Sequence, residues 1–341
     1  MKEVVITAPF QYEVREVPIP KPSKGEVLVQ MKAAGVCGSD FHIFKGGNPC
    51  ASYPLVPGHE NVGVIAAVGE DVANVKPGDH VVVDLIITCG TCYQCTHGRK
   101  NVCADVQVRG SSTHGGWREY FTAPEGDVYP ISPSIPWKDA ALIEPFAIGG
   151  HCVGRARVTG EDTVLILGAG TLGSIIVQTC KAHNAKVICA DIDDSVLERA
   201  KTYGADLVVN TKRENLAQQV ERFTEGQLCT VAFDAACFPG SLASLLAPGL
   251  VGNAGRVVPM GFCTEPEPIN QAMIVRRELD IIASRMSAYQ FAPTAENMAQ
   301  GKYQTDGLTS DYISFENIEQ VFEKIRNPKP QTKKIVILFD E

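Results

Sequence analysis

The sequence predicts an α/β chain in which a small β-barrel is followed by a doubly wound parallel sheet. Three observations carry that reading. The first third holds short apolar runs punctuated by glycine and proline, the mark of many short strands. The middle third opens with Thr163-Val164-Leu165-Ile166-Leu167, an apolar run of strand length, followed at once by Gly168-Ala169-Gly170-Thr171-Leu172-Gly173. From there strand-like and helix-like stretches alternate, which implies a parallel sheet covered on both faces.

In chain order, Glu26 to Lys32 alternates apolar and polar, as a half-buried strand does. Pro18, Pro20 and Pro22 make an extended approach to it. Val62 to Val68 and His80 to Val83 are further strands, separated by the turn Val75-Lys76-Pro77-Gly78-Asp79. After the glycine turn, a helical pattern runs from Ser174 to His183. Strands follow at Lys186–Ala190, Leu207–Asn210, Val231–Asp234, Arg256–Gly261 and Leu279–Ala283, with helices that include Ser195 to Tyr203 and Glu214 to Phe223. The tail from Phe291 carries a helix, Ile318 to Arg326, and a last strand, Lys334 to Leu338, expected to rejoin the first domain. The expected domains are 1–149 with a metal lobe at 84–108, then 150–285, then a return segment at 286–341.

Composition excludes several classes. The chain has 341 residues, 45% hydrophobic and 21% charged, as a globular protein does. No apolar run approaches the ~20 residues that span a membrane. The start, Met1 to Thr7, lacks the apolar core of a signal peptide, so a cytoplasmic location is expected. A net charge of -8 argues against non-specific nucleic-acid binding.

Twelve cysteines in such a chain suggest metal ligands or buried thiols. Cys89, Cys92, Cys95 and Cys103 have the spacing C-x2-C-x2-C-x7-C. Four soft thiolates can fill a tetrahedral zinc completely, which is a structural site; an iron–sulfur cluster is the rival. A second set comes from three separate segments: Cys37 in Cys-Gly-Ser-Asp, His59 in Gly-His-Glu, and Glu144 in Ile-Glu-Pro-Phe. Three protein ligands and one open position are the pattern of a catalytic zinc.

The glycine turn gives a nucleotide site. Gly168, Gly170 and Gly173, with Thr171 and Leu172 between them, let the backbone approach a pyrophosphate at the N-terminus of the helix that follows. Asp191, at the end of the second strand and about 20 residues on, would accept hydrogen bonds from the ribose and repel a 2′-phosphate, so NAD is expected over NADP.

Together these motifs resemble the zinc-dependent medium-chain dehydrogenases along essentially the whole chain. The resemblance implies a GroES-like catalytic domain, a Rossmann cofactor domain, a site in the cleft between them, and a homodimer or homotetramer. It implies that Glu60 or Glu144 completes the catalytic zinc site with Cys37 and His59, and Glu144 is expected in the resting set. It also implies a proton relay through Ser39 and His42. Ile143-Glu144-Pro145-Phe146 is similar to the polyol and threonine dehydrogenase branch. Asp234–Cys237, Met260–Pro266 and Ser284–Ala288 look like the group that includes L-gulonate and L-galactonate 5-dehydrogenases, which implies oxidation of a hexonate at C5. A carboxylate substrate wants an arginine fork, and Arg285 and Arg118 are the candidates. A neutral hexitol or threonine is the alternative substrate, and a catalytically silent sensory homologue the non-enzyme alternative.

Overall fold

The computed structural model describes residues 1–328 and 333–339. The chain packs as two compact units. The first takes Met1–Glu144, Ala288–Gly301 and the stretch from Thr305 onward; the second takes Pro145–Ser287 and Lys302–Gln304.

The first unit is built on a seven-stranded sheet. Its path runs Thr309–Ser314, Lys334–Leu338, Glu26–Val36, Glu60–Val68, His80–Val83 and Val128–Pro130, with Tyr120–Pro124 paired to Glu26–Val36 off that path. Where the sequence predicts a half-buried strand over Glu26 to Lys32, the structure extends it to Val36 and covers both faces. Its length follows from its number of strand partners. Its first half pairs with Tyr120–Pro124, its last residues with Lys334–Leu338, and nearly its whole length with Glu60–Val68. Val29, Met31, Ile65, Phe121, Trp117 and Phe322 are in the core beneath it. Burying each such side chain contributes about 1.5–3 kcal/mol. The helix Ile318–Arg326 closes this core with Ile318, Val321, Phe322 and Ile325, one face at helical spacing. The helix Phe291–Ala299 and the strand Thr309–Ser314 go beyond what the tail's pattern predicts.

The second unit is a six-stranded parallel sheet in the order Leu207–Asn210, Lys186–Asp191, Thr163–Leu167, Cys229–Asp234, Val251–Pro259, Asp280–Ile281. Thr163–Leu167 and Cys229–Asp234 are the middle pair, and the order runs outward from them in opposite directions. That reversal is where an open α/β sheet binds ligands, beyond the carboxyl ends of its strands. Helix starts differ slightly from the sequence pattern because side chains cap them. Asp193 accepts from Ser195 N (2.8 Å) and starts Asp194–Thr202; Asn215 accepts from Gln218 N (3.1 Å) and starts Leu216–Phe223. The expected strand Leu279–Ala283 shrinks to Asp280–Ile281, an exposed edge with one neighbour. No helix among the described residues is long and apolar enough to cross a membrane.

Candidate active site

The loop before the strand Glu60–Val68 is shaped by glycine. Gly58 has φ +93°, and a Cβ there would fall 2.1 Å from Trp117 Cδ1, so the backbone lies directly on the buried indole. The next two residues, His59 and Glu60, point to Cys37, which caps the short helix Gly38–Phe44. One ligand atom from each of Cys37, His59 and Glu60 lies within 4.8 Å of the others. Asp40 holds this arrangement. One of its oxygens accepts from Cys37 N (2.8 Å), and the other is 3.7 Å from His59 Nδ1.

The electrostatics fit a cation. Burial alone would push the His59 imidazole down, but Asp40, Cys37 and Glu144 outweigh it and hold it well above its ordinary value. Glu144, at the start of the helix Ile143–Arg155, is buried and pushed up to about 7, first by burial and then by Glu60. Three buried carboxylates and a thiol crowd one place, and a divalent ion would offset that charge. Where the sequence leads one to expect Glu144 beside Cys37 and His59, the structure brings Glu60 into the three-residue group. Glu144 stands close enough to feel both Glu60 and His59 but belongs to a different element.

The four cysteines of the lobe also meet. Their Sγ atoms lie within 4.8 Å of one another, with Cys103 at 3.5 Å from Cys89 and 3.8 Å from Cys92. Zinc–sulfur bonds of about 2.3 Å give a tetrahedron with edges of about 3.8 Å. The spacing therefore matches one ion rather than a cluster of several. Cys89 is pulled down to about 6, chiefly by the backbone N–H of Thr91, and Cys95 is pushed up to about 12 by burial and the neighbouring thiols. Only a cation lets all four ionise together. Two short strands, Ile86–Ile87 and Gln107–Val108, pair antiparallel and tie the base of the lobe.

In the second unit, the three glycines have three different roles. Gly168, straight after Thr163–Leu167, has φ +99° and makes the tight turn. A Cβ on Gly173 would fall 1.9 Å from Gly168 O, so that glycine allows the helix Thr171–Ala182 to pack on the turn. Gly170 caps the helix and has open space where its Cβ would be, which leaves its backbone approachable. Thr171 and Leu172 form the helix's first turn. Asp191 ends the neighbouring strand; its carboxylate accepts from Ala169 N (2.7 Å), Ile192 N (2.6 Å) and Asp193 N (3.1 Å), which fixes it beside the glycine turn.

Comparison with known proteins decides the family. A family model described as "Alcohol dehydrogenase GroES-like domain" matches residues 23–133, and "Zinc-binding dehydrogenase" matches residues 171–300. The starvation-sensing protein RspB of Escherichia coli K12 is 39% identical over 100% of both chains. The chain belongs to the zinc-dependent medium-chain alcohol dehydrogenases. Sorbitol dehydrogenase of Bacillus subtilis is 32% identical over 99% of this chain and 97% of its own. L-galactonate-5-dehydrogenase of E. coli K12 is 31% identical over 92% of this chain and 91% of its own. The crystal structure of the alcohol dehydrogenase rspB from E. coli CFT073, complexed with NADH, superposes with a TM-score of 0.93 at 37% identity, covering 99% of each chain. The two units are accordingly GroES-like and Rossmann-type, and the protein is a zinc-containing, NAD-dependent alcohol dehydrogenase.

One residue of this dehydrogenase's metal group escapes sequence reading. Lys334 opens the apolar strand Lys334–Leu338, is buried, and forms an ion pair with Glu60. Its partner lies 274 residues away, so nothing local in Lys-Ile-Val-Ile-Leu announces it. Gly35 was the signal that could have found the neighbourhood: a Cβ there would fall 1.7 Å from Glu60 Oε2, so glycine makes room for that carboxylate. Ser39 and His42 lie three residues apart on the helix Gly38–Phe44, hence on one face, with Ser39 half-buried and His42 exposed. Of the two arginine candidates, Arg118 packs against an aromatic ring. Its guanidinium lies 5.4 Å from the Phe121 ring centre, and burial, opposed by Glu3, pushes it down to about 10. Arg285 is an exposed residue of the second unit.

Proposed function

We propose that this dehydrogenase oxidises a secondary alcohol of a sugar acid, a hexonate such as L-gulonate or L-galactonate at C5, with NAD as acceptor. The observation that carries this is the likeness to L-galactonate-5-dehydrogenase over 92% of the chain, joined to the buried group of Cys37, His59 and Glu60. In this reading Cys37, His59 and Glu60 hold the catalytic zinc, with Glu144 beside them. Cys89, Cys92, Cys95 and Cys103 hold a structural one. Gly168 to Gly173 and Asp191 hold NAD.

When bound, zinc supplies a Lewis acid that acidifies the substrate hydroxyl, and NAD supplies the hydride acceptor. The chain's own residues do the rest. Asp40 fixes the orientation of His59. Lys334 neutralises part of the charge on Glu60 from the side of the sheet. Ser39 takes the hydroxyl proton in the half-buried part of its helix, and His42, one turn on and exposed, delivers it to water. Arg285 is the candidate that meets the substrate carboxylate. We also assign the enzyme a homodimeric or homotetrameric state, which light scattering of the purified protein tests.

A second reading, oxidation of a neutral hexitol, draws support from the likeness to sorbitol dehydrogenase over 99% of the chain. It also draws support from the metal group itself, where the buried lysine is already paired with Glu60. The deciding experiment is NADH production by zinc-loaded enzyme against L-gulonate, L-galactonate, other hexonates, hexitols and threonine. Turnover confined to a hexonate and weakened in Arg285→Ala supports the proposal. Turnover on hexitols, indifferent to Arg285→Ala, replaces it with the second reading.

A further inference from the structure

Seven cysteines stand outside the two metal groups. Cys152, Cys180, Cys189 and Cys229 are buried, as packing thiols are. Besides the exposed Cys50 of the first unit, two are not: Cys237 is half-buried and Cys263 exposed. They follow neighbouring strands, Cys229–Asp234 and Val251–Pro259, whose carboxyl ends face the same side of the parallel sheet.

The two segments touch through Gly261. A Cβ on that glycine would fall 1.9 Å from Cys237 Sγ, so the sulfur lies directly against the Gly261 backbone. Cys263 is two residues further along a stretch without helix or strand. Burial first, then Asp234 and the Cys263 thiol, push the Cys237 thiol up to about 11. On its other side Cys237 adjoins the nucleotide turn. A Cβ on Gly168 would fall 2.8 Å from Ala236 N and 2.9 Å from the Ala235 carbonyl carbon. The turn at Cys237 is held from below: Cys237 N donates to Asp234 Oδ1 (3.0 Å), and Ser241 Oγ donates to Asp234 Oδ2 (2.6 Å). Cys237 takes φ +50°, an unusual conformation for a residue with a side chain.

We propose that Cys237 and Cys263 are a peroxide-sensitive thiol pair whose disulfide lowers the affinity of this dehydrogenase for NAD(H). Cys263, the exposed thiol, reacts first. Its thiolate attacks a peroxide, the O–O bond breaks, and one water leaves as a sulfenic acid forms. The Cys237 thiol then attacks that sulfur, the S–S bond forms, and a second water leaves. Two thiols lose two electrons and two protons in all, and one hydrogen peroxide is reduced to two waters. A dithiol reverses the reaction by exchange. The disulfide draws the stretch after Val251–Pro259 onto Ala235 and Ala236, the residues on which Gly168 rests. The turn that must admit a pyrophosphate is thereby displaced or covered.

The test uses the zinc-loaded full chain. It is treated with stoichiometric hydrogen peroxide, its free thiols are alkylated, and it is digested with trypsin. Cleavage after Arg256 puts the two cysteines on different peptides. The expected result is a Cys237–Cys263 cross-link that NADH retards. NADH affinity, read by nucleotide fluorescence, should fall at least tenfold and recover with dithiothreitol. Zinc content is measured in parallel. Cys263→Ser should bind NADH as the parent does before treatment and keep that affinity after it. Three results would overturn the proposal: no cross-link while Cys263 goes to sulfinic acid, a cross-link with unchanged NADH affinity, or equal loss of NADH binding in Cys263→Ser. Because the reduced protein's NADH binding is measured first, a failure of the switch is distinct from a failure to use NAD.

Discussion

The two metal groups of the first unit differ in almost every physical respect. The four-cysteine lobe is a local device: its cysteines span residues 89 to 103, three of the four are at least partly exposed, and every donor it offers is a thiol. The group of Cys37, His59 and Glu60 is a tertiary device. Its donors are of three chemical kinds, its imidazole and carboxylate are buried, and it is flanked by Asp40 from the helix that Cys37 caps and by Lys334 from the far end of the chain. A closed set of four equal ligands can only hold an ion. A mixed set of three, braced from behind, leaves one position for a reactant. Substitutions in the two groups should therefore separate stability from chemistry.

The largest effect should come from His59→Ala. Lewis acidity is worth several kcal/mol to the reacting hydroxyl, so its loss should lower kcat/KM on the order of a thousandfold or more. Zinc content should fall from two ions per chain to one, with the circular dichroism unchanged. Near-normal turnover in this variant would remove the group from the chemistry and collapse the contrast. Cys103→Ser is the mirror experiment. It should also cost one ion, but lower Tm by about 10 °C while the protein that stays folded retains most of its kcat. A large loss of kcat at unchanged Tm would assign the lobe a catalytic part.

The same contrast explains what could be read in the sequence. That the four cysteines of the lobe meet was legible because they are neighbours in the chain and their spacing brings them together. The glycine turn was legible for the same reason, since Gly168, Gly170, Gly173 and the following strand's Asp191 form one continuous βαβ unit. The group of Cys37, His59 and Glu60 was legible only in outline. Cys37 and His59 sit in recognisable loops, but the choice between Glu60 and Glu144 depends on where tertiary packing sets the first turn of the helix Ile143–Arg155. Lys334 was invisible because its reason for being buried lies 274 residues upstream. The long strand Glu26–Val36 outran its alternating pattern because three strands pair along its edges and residues on both of its faces are buried, and pattern reports burial only when one face is wet.

Lys334→Met sharpens the contrast at the next level of effect. Removing one partner of a buried ion pair costs about 3–5 kcal/mol when the other charge is left alone. In metal-free protein Glu60 is left so, and Tm should fall by roughly 5–10 °C. In zinc-loaded protein the ion takes over the neutralisation, and the fall should be much smaller. The measurement is the difference between loaded and metal-free Tm, which should widen in the variant. An equal drop in both forms would make Lys334 an ordinary structural residue with no link to the ion.

The smallest effect separates the two glutamates. Glu60 shares the three-residue group with Cys37 and His59, whereas Glu144 acts on it from a neighbouring helix. Glu60→Gln should therefore weaken zinc binding at this site more than Glu144→Gln does. A residue that orients or biases a metal site costs about 10–100-fold in affinity when changed, and Glu144→Gln should lie at or below the low end of that range. Competition with a chromophoric chelator reads both affinities directly, without reference to turnover. The two carboxylates also repel, because burial and Glu60 together push Glu144 up to about 7. Relieving that repulsion in Glu144→Gln opposes whatever it contributes to holding the ion, a second reason for a small net change. If Glu144→Gln lost zinc more readily than Glu60→Gln, the resting ligand would be Glu144, and Glu60 would belong to Lys334 instead of to the metal.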